Sequence, residues 1–186
     1  MSHIRIKQVL VLAVIAVLVT MSFLISPASA ESIRVDFENY NIACTLVSQD
    51  PPRVTDGGIV HLRNRVYESV ILSDSDYYAG TGGIVGNANL FDPAVGIGTY
   101  FGTLEIYPII HPDGYWAGHW SMQITETGYK GIARLQGYGS MEGMSSFATL
   151  TPLPPNVLAN FAYLCSGNQP ASGTYAVGYT IMPDGE

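Results

Sequence analysis

Hydrophobic and polar residues alternate at every second position along three segments between residues 96 and 143. In the middle segment Trp116 and Trp120 share one parity, while His119 and Ser121 share the other. Successive side chains of a β-strand point to opposite faces, so this period of two predicts strands. Glycines recur in both flanking segments, and large rings beside glycine fit a strongly curved sheet. The pattern predicts a curved wall in which the two tryptophans pack over glycines.

Extended segments also precede and follow this region, separated by turns rich in proline, aspartate and glycine. They are predicted at 31–40 (an edge strand), 41–48, 59–72, 77–90 (a strand pair or one bent strand), 145–151 and 173–182. Only residues 156–164 have helical character. About eight strands without long helices predict an all-β fold, a single antiparallel β-barrel of about eight strands. A β-sandwich is the alternative.

The longest of these segments, residues 59–72, places Glu68 in an unusual position. Strict alternation assigns one face, the predicted core side, to Val60, Leu62, Asn64, Val66, Glu68 and Val70. Burying a carboxylate there is costly unless it is paired, and Arg134 or another donor could supply the partner. The alternative is a carboxylate near water at the end of the strand.

The first 30 residues have the pattern of an export signal. Arg5 and Lys7 precede an uncharged, mostly apolar run over 9–25, and small residues occupy 28–30. We expect cleavage after Ala30, giving a secreted protein whose mature chain, residues 31–186, is one domain. The run of 17 residues also reaches the lower limit of a membrane span. An uncleaved anchor is therefore the alternative, and it would be the only predicted contact with a membrane.

The charge balance excludes one class of partner. Without Arg5 and Lys7, six basic side chains stand against 15 acidic ones, a net charge of −9. Such a surface repels phosphate backbones. No nucleic-acid partner is predicted.

Cys44 and Cys165 are the only cysteines in the sequence. In an oxidising compartment such a pair more often forms a disulfide than two free thiols. Cys44 lies in the predicted segment 41–48, and Cys165 lies shortly before the last predicted segment, 173–182. A bridge between them would tie the two ends of the mature chain together.

Motifs for known chemistries are missing from the sequence. His61, His111 and His119 do not have the spacing of a zinc site, so no metal and no cofactor are predicted. No Gly-x-Ser-x-Gly nucleophile motif occurs, and the catalytic residues, if any, stay unknown. Paired strand carboxylates such as Glu68 and Glu105 are the remaining acid–base candidates.

Aromatic side chains supply the remaining candidate site. Four residues are predicted to line the barrel lumen or a ligand site: Trp116, Trp120, Tyr100 and Glu68. A barrel of about eight strands is just wide enough either to be filled by side chains or to hold one small ligand. The sequence is compatible with both alternatives, a filled core and a ligand cavity.

Three glycine–aromatic motifs resemble a known group of barrels. They are Gly114-Tyr-Trp-Ala-Gly-His-Trp, Gly128-Tyr-Lys-Gly and Gly137-Tyr-Gly-Ser-Met-Glu-Gly. Over roughly residues 58–150 the chain resembles the allene-oxide-cyclase/dirigent-type barrel group. The resemblance implies an eight-stranded antiparallel barrel, and known members cyclise or orient small apolar substrates. No catalytic residue of the group falls on a matching position of this sequence.

These observations predict a secreted, non-enzymatic binding or structural module, whose partner is an apolar small molecule or another extracellular component. The alternative is a cyclase- or isomerase-like barrel acting on an apolar molecule in its lumen. The sequence leaves the oligomeric state open. The two functions differ in whether the interior holds a solvent-connected cavity with a polar group such as Glu68. A solid interior would leave only surface interactions.

Overall fold

A computed structural model describes residues 32–153, 155–165 and 172–183. The strands are β1 (Ile33–Ser48), β2 (Arg53–Val54), β3 (Val60–Ser73), β4 (Gly80–Asp92), β5 (Ile97–Pro108), β6 (Gly114–Thr125), β7 (Gly128–Gly139), β8 (Ser145–Pro152) and β9 (Ser172–Met182). A short helix, α1 (Pro155–Ala159), and a 3-10 turn (Ala162–Leu164) precede β9. The predicted signal peptide, with its cleavage site at Ala30, lies outside the described residues.

Eight of the nine strands close into an antiparallel barrel. Consecutive strands pair from β3 to β9, β9 pairs with β1, and β1 pairs with β3. The remaining strand, β2, adds two residues beside the start of β3. Closure pairs the strand edges that an open sheet would expose. The prediction of an all-β barrel is confirmed, with one change, since the predicted segments 31–40 and 41–48 form the single strand β1.

One half of the barrel interior is filled by side chains. This filled half lies toward the β3–β4, β5–β6 and β7–β8 connections, and its centre is the fully buried Trp116. The indole of Trp116 stacks on Tyr78 with 5.1 Å between ring centroids, and its Nε1 donates to the Tyr77 carbonyl at 2.7 Å. The hydroxyls of Tyr78 and Thr180 are hydrogen-bonded at 2.5 Å. Trp116 is therefore core and does not line a ligand site.

A second, smaller core lies outside the barrel. Ile42 and Cys44 alternate with the inward-facing residues of β1, and they are buried together with Leu153 and Cys165. Val157, Leu158 and Phe161, from the described part of the connection between β8 and β9, pack against this part of β1, so α1 packs on the outer face of the barrel. The disulfide between Cys44 and Cys165 links β1 to the outer segment that contains α1 and the 3-10 turn. It confirms the predicted pairing.

A β-bulge divides β3 into two halves of opposite parity. The pairing with β4 shifts between Leu62, opposite Ala88, and Arg65, opposite Gly86. Within the bulge Asn64 has a φ of 50°, a conformation that asparagine tolerates better than most residues. Strict alternation therefore fails after Asn64. Glu68 is exposed on the outer face, whereas the prediction placed it on the core side.

Candidate functional site

The other half of the barrel interior contains a cavity of about 380 Å³. Most of its wall is apolar and comes from Ile84, Ala88, Leu104, Trp120, Met122, Ile124, Ala133 and Leu150. Leu46 and Ser172 also line it, and both are exposed to solvent. The cavity therefore reaches the protein surface, and its volume is within the usual range for small-molecule sites.

The four residues predicted to line the lumen have three different positions. Trp120 and Tyr100 line the cavity. Trp116 lies in the filled half, and Glu68 lies on the outside of the barrel. The candidate partner of Glu68, Arg134, is also exposed on an outer face, where its guanidinium lies 5.8 Å from the Phe147 ring centroid.

Glycines allow Trp120 to lie along the cavity wall. Trp120 is opposite Gly102 on β5, and Gly102 is opposite Gly86 on β4. A Cβ placed on Gly86 would be 3.3 Å from Cζ2 of Trp120, so the indole extends across β5 as far as β4. Nε1 of Trp120 donates to the Thr103 carbonyl at 3.2 Å. With this donor occupied, Trp120 offers the cavity an apolar ring.

Arg65 is the charged side chain of the cavity, and the sequence patterns did not reveal it. It points inward because the bulge at Asn64 reverses the parity of β3, and its guanidinium lies 5.2 Å from the Tyr67 ring centroid. Its Nε is buried without a hydrogen-bond partner, and no described carboxylate forms an ion pair with it. The one signal in the sequence was an asparagine interrupting an apolar face, which is compatible with a bulge.

The tyrosine hydroxyls of the cavity stay protonated near neutral pH. Burial raises the pKa of Tyr129 to about 12, and its hydroxyl donates to the Gly173 carbonyl at 3.1 Å. Burial also raises the pKa of Tyr67 and of Tyr100, while the nearby charge of Arg65 acts in the opposite direction on both. The Tyr100 hydroxyl donates to the Gly96 carbonyl at 3.0 Å. These groups are hydrogen-bond donors and not bases.

One further polar side chain in the cavity has an unsatisfied atom. Asn41 Nδ2 lies 3.4 Å from Thr174 Oγ1, but the buried Asn41 Oδ1 has no hydrogen-bond partner among the described residues. Buried polar atoms in proteins are nearly always paired. Unpaired atoms at a cavity wall mark places where a ligand or water can complete the hydrogen bonding.

The histidines lie away from the cavity. His61 Nδ1 is 2.7 Å from Asn89 Oδ1. The His111 ring stacks on Tyr77 with 4.7 Å between ring centroids, and His119 is exposed. Within residues 32–153, 155–165 and 172–183, no three histidine, cysteine, aspartate or glutamate side chains are grouped to hold a metal ion. In the same part of the chain, the cavity wall contains no carboxylate, imidazole or thiol side chain. The arrangement can bind an apolar molecule and contact it through one cation.

Comparisons with known proteins leave the site to be interpreted on its geometry. No family model matches the sequence, and no curated protein is significantly similar to it. No helix in the described part of the chain has the length and hydrophobicity needed to cross a membrane.

Proposed function

We propose that this protein is a non-enzymatic binding protein that holds an apolar small molecule inside its barrel. The observation that supports this function is the cavity of about 380 Å³, which is walled by apolar side chains and connected to solvent beside Leu46. Removing apolar ligand surface from water is favourable in proportion to its area. The cavity has room for such a ligand.

The chemistry of the wall supports binding more than catalysis. A cyclase- or isomerase-like reaction needs a group that transfers a proton or stabilises developing charge. The described wall contributes one charge, that of Arg65, and tyrosine hydroxyls that hold their protons. Resemblance to the allene-oxide-cyclase/dirigent-type group adds the expectation of a small apolar ligand, but it assigns no catalytic residue here.

We also propose that the protein works outside the cytoplasm. The disulfide between Cys44 and Cys165 is compatible with an oxidising compartment. The basic and apolar N-terminus supports export, with cleavage after Ala30. Intact-mass measurement of the protein from the producing cells tests this, because cleavage removes 30 residues and an anchor retains them.

Native mass spectrometry of the purified protein tests the binding function directly. We expect a co-purified apolar molecule that is lost on delipidation and replaced when dodecan-1-ol is added. The variant Ala133→Phe places a ring in the cavity and should prevent dodecan-1-ol binding. Ile132→Phe is the matched control, since Ile132 is the neighbouring outward residue, 38% exposed. If Ala133→Phe remains folded and binds as well as Ile132→Phe, the barrel lumen is not the site.

A further inference from the structure

Arg65 gives the cavity a chemical preference that its apolar wall lacks. An arginine side chain keeps its charge at all physiological pH values, and its planar fork of donors fits a carboxylate in two parallel hydrogen bonds. In this barrel the guanidinium has no acidic partner among the described residues, and its Nε is buried without a hydrogen bond. Arg65 is half-buried, and a cation beside an apolar wall without an acidic partner becomes more stable when an anion neutralises it.

The position of Arg65 along β3 fits a ligand that is polar at one end. Tyr67 is opposite Leu46, an exposed residue at the mouth of the cavity, and Arg65 is two residues nearer the open end of the barrel. Leu104 and Leu150, in contrast, belong to the buried cluster that continues into the filled half. The cation is therefore on the mouth side, and the deepest wall is apolar.

We propose that the natural ligand is an amphipathic carboxylic acid whose carboxylate binds the guanidinium of Arg65 and whose hydrocarbon part occupies the deeper cavity. This inference rests on the proposed binding function and makes it more specific. The Tyr67 side chain lies against Arg65 and lines the same cavity, so its neutral hydroxyl is available as a second donor to the carboxylate.

A pair of ligands that differ only in the head group tests the proposal. Delipidated protein is titrated with dodecanoate and with dodecan-1-ol, and binding is followed by tryptophan fluorescence, because Trp120 lines the cavity. A charge-assisted pair corresponds to a preference of roughly 10-fold to 100-fold for dodecanoate. In Arg65→Met this preference should disappear through weaker dodecanoate binding, with dodecan-1-ol affinity unchanged.

Two further variants serve as controls. Arg53→Met removes the same charge from an exposed residue of β2 and should keep the wild-type preference. Arg65→Lys keeps a charge without the planar fork and should retain part of the preference for dodecanoate. Arg65→Met should also unfold at the same denaturant concentration as ligand-free wild type or a higher one. A purely structural role for Arg65 would instead lower that midpoint.

The outcomes separate this inference from the function on which it rests. If wild type binds neither ligand, both the binding function and the role of Arg65 are wrong. If wild type binds both ligands equally, or Arg65→Met keeps the preference for dodecanoate, the role of Arg65 is wrong and apolar binding stands. If Arg65→Met does not fold, the preference of wild type, Arg65→Lys and Arg53→Met still decides the question.

Discussion

Trp120 on β6 lies against Gly86 on β4, although β5 runs between the two strands. A Cβ at Gly86 would be 3.3 Å from Cζ2 of the indole, closer than an ordinary van der Waals contact. The contact passes over Gly102, the cross-strand partner of both residues. The lack of side chains at these two glycines thus lets the ring lie along the barrel wall, where it lines the cavity.

A larger residue at position 86 should move this ring. In Gly86→Val the new methyl groups overlap the indole, and we expect a loss of about 1–3 kcal/mol in the free energy of unfolding. Urea denaturation measures the loss, and the emission maximum of Trp120 should shift. Gly83→Val is the control on the same strand, because nothing lies within 4 Å of a Cβ there. Equal losses in both variants would contradict the contact between Trp120 and Gly86.

How much the sequence could predict depended on whether a strand was regular. Between β5 and β7 the pairing has no shift, and parity alone placed Trp116, Trp120 and Tyr100 inside the barrel. On β3 a single extra residue reversed the parity, so Glu68 moved outside and Arg65 inside. Periodicity cannot count residues that a bulge leaves unpaired.

The division of the interior was also beyond the sequence. Trp116 and Trp120 have the same parity and the same residue type, yet one is core and the other lines the cavity. What separates them is the partner across the lumen. Trp116 stacks on Tyr78, which follows β3, whereas Trp120 lines the cavity. Such contacts join elements far apart in the chain, and local patterns do not specify them.

Removing the disulfide should destabilise the protein. Cys44 and Cys165 are 121 residues apart, and a cross-link closing so long a loop stabilises by about 3–5 kcal/mol in the chain-entropy model. The double variant Cys44→Ser/Cys165→Ser should lose this amount in urea denaturation. Reductant should lower the stability of wild type equally and leave the double variant unchanged. Wild-type stability that is insensitive to reduction would argue against the cross-link in solution.

Alkaline pH should weaken the fold through its buried tyrosines. Burial raises the pKa of Tyr78 to about 12, while an unfolded tyrosine ionises near pH 10. Between these values the unfolded state releases the proton and the folded state keeps it, so stability falls as pH rises from about 10 to about 12. The loss reaches at most about 3 kcal/mol for Tyr78. Below about pH 9 this contribution is constant.

Urea denaturation between about pH 9 and pH 11 tests this dependence. Tyr78→Phe removes the ionising group, so its stability should fall less steeply with pH than that of wild type. It should also be less stable at neutral pH, because the hydrogen bond to Thr180 is lost. The same slope in both proteins would mean that Tyr78 is not protected from ionisation.

The bulge at Asn64 can be tested by comparing the stabilities of two variants at this position. Glycine adopts a φ of 50° without steric cost, while a β-branched residue is strained there by about 1–3 kcal/mol. Asn64→Gly should therefore be more stable than Asn64→Val in urea denaturation. Both variants lose the hydrogen bond from Asn64 Nδ2 to Asp50 Oδ2 at 2.8 Å, so this loss cancels from the difference between them.

Glu68 supplies the matched comparison on the same strand. It is exposed and does not have a positive φ, so valine, a good strand former, should be more stable than glycine at this position. The more stable variant should thus be the glycine variant at Asn64 and the valine variant at Glu68. Finding valine favoured at both positions would mean that β3 is regular in solution. Strict alternation would then return Glu68 to the lumen and remove Arg65 from it, and the binding preference of Arg65→Met for dodecanoate would stay that of wild type.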